Sequence, residues 1–210
     1  MNQAEKAYLE AIERNYYFPR SGILWSDIDS FVRFLEEYKM HRVMPARAQR
    51  EKVLAELISS IRPYLSKLED LDLLCVDLSQ TTVGGKRLRD LIVEIYRSIN
   101  TATRPRRVME NATLVGKVMH VLQPRLFVIW DDKIRQARGF KRSFDEYWRY
   151  LEMAQKGLRE VLDDYRRISN DPRARSSSIE SSLYEQGCKS ITKLYDEACW
   201  AMVQGWIHFC

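Results

Sequence analysis

Glycine and proline are scarce in this chain, at eight and six of 210 residues. So few turn-formers imply few turns and long elements, which disfavours an all-β fold of many short strands. Cysteine is sparse too. Cys75, Cys188, Cys199 and Cys210 form no CxxC pair and no zinc-ligand spacing. They read as reduced, buried thiols, which implies a cytoplasmic protein, rather than as a disulfide framework. The three histidines, His41, His120 and His208, are scattered, and no His/carboxylate spacing resembles a known ligand set. Neither a metal nor another cofactor is therefore expected. No apolar run approaches the roughly 18 residues that a bilayer span needs. The opening Met1-Asn-Gln-Ala-Glu-Lys6 is polar and helical in pattern, unlike a secretory leader. The expectation is a protein without a membrane partner.

What is present fits a globule. Apolar residues make up 45% and charged residues 30% of the chain, ordinary proportions for a soluble domain. Five Trp, eleven Tyr and seven Phe supply bulk for a core. The net charge of +5 permits nucleic-acid binding without requiring it. The basic residues are clustered. Lys86, Arg87 and Arg89 follow Gly84-Gly85, and Arg104, Arg106 and Arg107 surround Pro105. Lys133, Arg135, Arg138, Lys141 and Arg142 form a third group. Folded onto one face, these would make a positive surface.

Apolar spacing of three and four residues predicts helices over most of the chain. One runs over 2–17. A second is capped by Ser26 and carries Ile28, Phe31, Phe34, Leu35 and Tyr38. A third starts near Pro45, with Val53, Leu54, Leu57, Ile58 and Ile61 inward, and is broken by Pro63. Leu71 to Leu78 reads as helical turns rather than a strand, since no partner strand is visible. Gly84-Gly85 opens a helix to about residue 100. A long helix runs from Asp145 to about Ile168, with Tyr147, Trp148, Leu151, Leu158, Val161, Leu162 and Tyr165 inward, and ends at Asn170-Asp-Pro172. A polar, mobile loop over about 170–178 follows. One or two helices fill 179–208, with a break at Gly187 and a buried face of Ile191, Leu194, Tyr195, Ala198, Cys199, Met202, Trp206 and Ile207. The fold class is all-α, as one multi-helix domain over 1–210 or as two lobes meeting near 104–135.

The least generic stretch is Asn111 to Arg135. Asn111 can cap a helix. Lys117 and His120, three apart, share one helical face. Pro124 ends that helix. Leu126-Phe-Val-Ile-Trp130 is apolar throughout and reads as a buried connector, with Phe127 and Trp130 in the core. Asp131 or Asp132 then caps the next helix, and the other is left as the free carboxylate. Helix termini thus bring a lysine, a histidine and two aspartates towards one place.

These residues resemble the central motif of the helix-hairpin-helix DNA glycosylase superfamily. Val115-Gly-Lys117 stands in the hairpin position, and Pro124-Arg-Leu-Phe-Val-Ile-Trp-Asp131 is similar to that family's proline–apolar–aspartate approach. The string Lys117-x-x-His120 … Pro124-x-x-Phe127-x-x-Trp130-Asp131 is also similar, and more closely, to uncharacterised all-α proteins of bacteria and archaea. The resemblance covers about two dozen residues. Only Gly116 represents the hairpin's usual glycine pair, Lys117 and Asp131 are 14 residues apart, and there is no cysteine quartet for an iron–sulfur cluster.

The resemblance implies a DNA N-glycosylase or lyase-like activity. Asp131 would sit at the position of the catalytic aspartate and Lys117 near that of the nucleophilic lysine; by its own chemistry His120 is a proton shuttle or phosphate contact, or a structural residue bonded to the aspartate or a backbone carbonyl. Arg104, Arg106, Arg107, Gly116, Arg135 and Arg138 would meet the phosphates of duplex DNA. As a nucleophile Lys117 must be neutral, which requires desolvation or a nearby cation. The bland alternative is a structural salt bridge to Asp131 or Asp132, inside a non-enzymatic helical module whose partner is another protein. Lys193, Asp196 and Glu197 on the last helix pose the same choice. They form a surface pair at three or four residues' spacing, or they meet the central basic residues from the other end of the chain.

Overall fold

The structure, a computed structural model, describes residue 36 and residues 47–102, 111–175, 177–179 and 190–204. The helices expected over 2–17 and 26–38 (Glu36 apart) lie outside the described residues, as do Arg104, Arg106, Arg107, Gly187, Trp206 and Ile207. Among the described residues the chain is mostly helical, and its sheet is one two-stranded hairpin. In chain order the elements are α1 (Arg47–Leu65), β1 (Thr82–Val83), β2 (Lys86–Arg87), α2 (Leu88–Ala102), α3 (Ala112–Leu122), α4 (Asp132–Ala137), α5 (Phe144–Ser169) and α6 (Ile191–Val203). No helix among the described residues is long and apolar enough to cross a membrane.

The spacing of apolar residues sets the packing. On α1, Leu54, Leu57, Ile58, Ile61 and Leu65 are buried, and on α2 so are Leu88, Leu91, Ile92, Ile95, Tyr96 and Ile99. Both sets follow the helical period, and the two helices pack on each other. Val53, expected inward, is half-buried. Pro63 does not break α1. It falls inside the last turn, two residues before the helix ends. The carbonyl it leaves without a donor belongs to the exposed Ser59, where solvent can serve.

Gly84-Gly85 does not open a helix. Both glycines have positive φ, +57° and +77°, the combination of a two-residue hairpin turn of the primed type. Thr82 pairs with Arg87 and Val83 with Lys86, and α2 starts one residue after β2. The segment before this hairpin forms turns, as expected for Leu71 to Leu78. Side chains from elsewhere hold its carbonyls. Gln155 Nε2 donates to Leu73 O and Val76 O, Arg159 donates to Leu74 O and Val76 O, and Gln123 donates to Leu68 O and Glu69 O.

Ser143 caps α5 by accepting from Glu146 N–H, and Asn170 ends it in the left-handed region. Its inner face is Tyr147, Tyr150, Leu151, Ala154, Leu158 and Leu162. Val161 lies outside this stripe and is 51% exposed, contrary to expectation. The polar stretch after α5 is pinned at Ala174, which is buried and whose carbonyl accepts from Arg166 Nε. Aromatic rings tie the centre together. Trp130 stacks on Tyr150 at 6.0 Å and 17°, and Tyr147 touches both Trp130 and Tyr96.

Candidate functional site: a buried lysine–carboxylate cluster

Helix α3 begins as expected, with Asn111 Oδ1 accepting from Leu114 N–H, and ends at Leu122 just before Pro124. The connector Leu126 to Trp130 is buried along its whole length. Gly116 is not in a turn. It lies mid-helix, buried, where an added Cβ would stand 3.0 Å from both Trp130 Cβ and Trp130 N. The missing side chain lets the connector lie directly against α3. Lys117 follows Gly116 and Asp131 follows Trp130, so this close approach sets their juxtaposition.

Gly116→Ala tests the contact. Alanine favours a helix over glycine by about 1 kcal/mol, but backbone against Cβ cannot yield cheaply, and overpacking costs about 1–3 kcal/mol. The expected outcome in urea denaturation is a net loss of up to about 2 kcal/mol. A gain would contradict the close approach.

Asp131 turns out to have two roles. Its Oδ1 accepts from Lys133 N–H at 2.9 Å, making it the N-cap of α4, while Oδ2 stands 3.8 Å from Lys117 Nζ. Asp132 is not a free carboxylate. Arg135, Arg142 and Gln136 all donate to it. Partial burial works against its charge, but the hydrogen bonds from Arg135 and Arg142 prevail and hold its carboxyl below the ordinary value.

Lys117 is almost wholly buried. Loss of water pushes its pKa below the usual lysine value, against the pull of Asp131 and Asp196 and with the help of Lys193. His120 is fully buried on the same helix, but it is turned to the connector. Phe127 O lies 2.7 Å from its Nδ1. A carbonyl only accepts, so Nδ1 carries the proton. Burial takes His120 down to a pKa of about 3, so the ring is neutral at physiological pH.

Helix α6 completes the cluster, and its buried face was not the one its apolar residues suggested. Ser190 caps the helix, and Ile191, Thr192, Lys193, Asp196 and Cys199 point inward, while Leu194, Tyr195, Ala198 and Met202 are half-buried. Thr192 donates to Pro124 O, which seats the start of α6 on the α3–α4 connector. Lys133 of α4 lies over the Trp200 ring at 5.0 Å. Lys193 and Asp196 do not form a surface pair. Nζ to Oδ2 is 2.6 Å, with side chains 9% and 10% exposed, and Glu197 is 3.6 Å from the same ammonium. Burial raises the Asp196 pKa, opposed by Lys193 and Lys117 and reinforced by Asp131. The sequence signal for this was the three-residue spacing of Lys193 and Asp196, one step off the apolar stripe.

Two buried donors sit beside the cluster. Among the described residues, Trp130 Nε1 and Tyr150 Oη find no hydrogen-bond partner. Tyr150 is close enough to Asp196 for the carboxylate to help raise its pKa, after burial itself.

Among the described residues, Lys86, Arg89, Arg135 and Arg142 of the basic clusters are engaged by acids. Arg135 is buried between Asp132 and Phe140 O. Arg142 meets Asp132, Arg89 meets Asp145 at 2.6 Å, and Lys86 meets Glu94 at 3.0 Å. Arg138 is exposed at the C-cap of α4 and reaches towards Cys199. The structure thus brings Lys117 and Asp131 together, adds Lys193 and Asp196, and directs His120 and Arg135 elsewhere. No family model matches this sequence, and no curated protein or solved structure matches it either.

Proposed function

We propose that the Lys117–Asp131 pair is a reactive amine site of the glycosylase and lyase kind, acting on sugar carbonyl carbon in damaged duplex DNA. The observation that carries this reading is a buried lysine beside a partly exposed carboxylate, with Lys117 Nζ 3.8 Å from Asp131 Oδ2. Burial favours the neutral form of Lys117, the form a nucleophile needs. Asp131 is the more open partner, 26% exposed against 7% for Lys117, so a substrate would approach from its side.

In this reading the Lys117 amine adds to the C1′ aldehyde of an abasic deoxyribose. The carbinolamine loses water to give an iminium, Asp131 takes the C2′ proton, and the 3′ phosphate leaves by β-elimination, which breaks the strand. Arg138, and Arg104, Arg106 and Arg107 outside the described residues, would contact phosphates, making binding strongly salt-dependent.

Incubation with duplexes carrying one abasic site tests the reading. The wild type should cleave the damaged strand, and Lys117→Ala should lose at least about a hundredfold in rate, the scale of a removed catalytic group. No cleavage, or equal cleavage by the variant, would defeat it. A second reading draws on His120 bonded to Phe127 O and on the arginines already held by acids. There the cluster is a folding device in a helical module with a protein partner, and the same assay shows no cleavage.

A further inference from the structure

Three cations that follow Asp131 in the chain carry charge that no acid neutralises. Lys133, Arg138 and Lys141 are exposed on α4 and on the turn joining it to α5. Among the described residues none of them has a carboxylate within 4 Å, unlike Lys86, Arg89, Arg135 and Arg142. The acids of this stretch are engaged elsewhere. Asp131 faces Lys117, Asp132 holds Arg135 and Arg142, Asp145 holds Arg89, and Glu146 holds Arg149. Lys133 is also held in place. Its backbone N–H donates to Asp131 Oδ1 at 2.9 Å, and its ammonium stands 5.0 Å from the centroid of the half-buried Trp200 ring of α6. An indole face attracts a cation through its quadrupole but has no net charge. The contact therefore orients Lys133 without neutralising it, whereas a carboxylate would do both.

We infer that Lys133, together with Lys141 and Arg138, forms a phosphate-binding surface for the nucleic-acid strand that brings its sugar to Lys117. A polyanion approaching from the exposed side of Asp131 meets that residue's own negative charge. Lys133, fixed two residues further on by the same cap, offsets the repulsion at the point where it arises. The turn after α4 is open to a strand as well. An added Cβ at Gly139, between Arg138 and Lys141, would meet no atom within 4 Å. Duplex DNA presents a regular row of phosphate charges, and each cation that pairs with one releases condensed counterions. An acidic protein segment could meet the same cations, but their place beside a buried amine favours phosphate next to a reacting sugar. This inference rests on the reading of Lys117 and Asp131 as a site for DNA, and it adds Lys133 and Lys141 to the groups that would hold the substrate.

The test reads binding apart from cleavage. Fluorescence anisotropy follows the full chain binding a short labelled duplex that carries the stable tetrahydrofuran analogue of an abasic site, over a range of salt. Lys133→Gln and Lys141→Gln should each weaken binding about fivefold to tenfold near ~0.1 M salt. Each should also reduce the slope of log affinity against log salt by about one, as expected for one lost phosphate contact. Lys133→Arg should keep both, because a guanidinium also lies over an aromatic face. Lys86→Gln, whose ammonium is held by Glu94, should leave the slope unchanged. Wild-type slope and affinity in Lys133→Gln, or the same losses in Lys86→Gln, overturn the inference. Lys133-dependent binding of polyglutamate in preference to the duplex overturns it too, and makes the partner an acidic protein. The predicted slopes without cleavage of a true abasic strand would defeat the amine chemistry and leave the phosphate surface standing. Cleavage with Lys133→Gln binding as the wild type does would defeat the surface alone, and a wild type that does not bind the duplex would defeat both.

Discussion

Replacing Lys193 with methionine is expected to lower folding stability by about 3–5 kcal/mol, the cost of stranding one member of a buried ion pair. The magnitude follows from burial and geometry together. Asp196 would keep its place in the interior, facing Asp131, with Lys117 the remaining cation near it. An exposed pair of comparable type offers the contrast. Arg149 and Glu146 are 3.0 Å apart, but the arginine side chain is 65% exposed, and breaking such a pair costs at most about 1 kcal/mol. The double variant Lys193→Met/Asp196→Leu should recover most of the loss, since apolar replacement of both partners removes the stranded charge. Urea denaturation of the three proteins checks both statements. A single variant within about 1 kcal/mol of the wild type would show that α6 does not bury this pair.

The second large effect is on the acid side of the pH profile. His120 is neutral in the folded chain down to about pH 3, whereas an unfolded histidine takes up a proton near pH 6.5. The unfolded state therefore binds more protons between these values, and stability falls as pH drops through that window, with the full contribution present above about 6.5. The slope is about 1.4 kcal/mol per pH unit for one proton, or about 3 kcal/mol by pH 4. Carboxylates titrate in the same range, so the informative quantity is a difference. His120→Asn keeps a donor for Phe127 O and does not titrate. Its stability relative to the wild type should improve steadily as pH falls from 6.5 to 4. A difference that stays constant over this range would mean that His120 is hydrated or charged in the native state.

The parts of this structure that were legible in the sequence are those with local causes. Asn111 caps α3, Pro124 stands just past its end, and the apolar run to Trp130 has no polar side chain to show to solvent. Residues whose identity serves two purposes were not legible. Gly84-Gly85 suits a helix start or a hairpin, and only the positive φ at both positions distinguishes them. Gly116 resembled a turn residue, yet its missing Cβ makes room for Trp130 inside a helix. Asp131 and Asp132 were equivalent as caps. The choice was made by a backbone N–H at Lys133 and by Arg142, ten residues away. On α6 the apolar stripe pointed one way, and tertiary packing turned Lys193 and Asp196 inward, where they pair with each other. Hydrophobic periodicity does not register a buried face made of charge.

A reactive amine at Lys117 requires a desolvated Nζ beside a carboxylate, and Asp131 Oδ2 stands 3.8 Å from it. Its most direct test is borohydride reduction of the protein with an abasic-site duplex, followed by peptide mapping of any covalent adduct. The expected result is one adduct, on Lys117, lost in Lys117→Ala and diminished as salt is raised. An adduct on another lysine, or none under conditions where the duplex is bound, would contradict it.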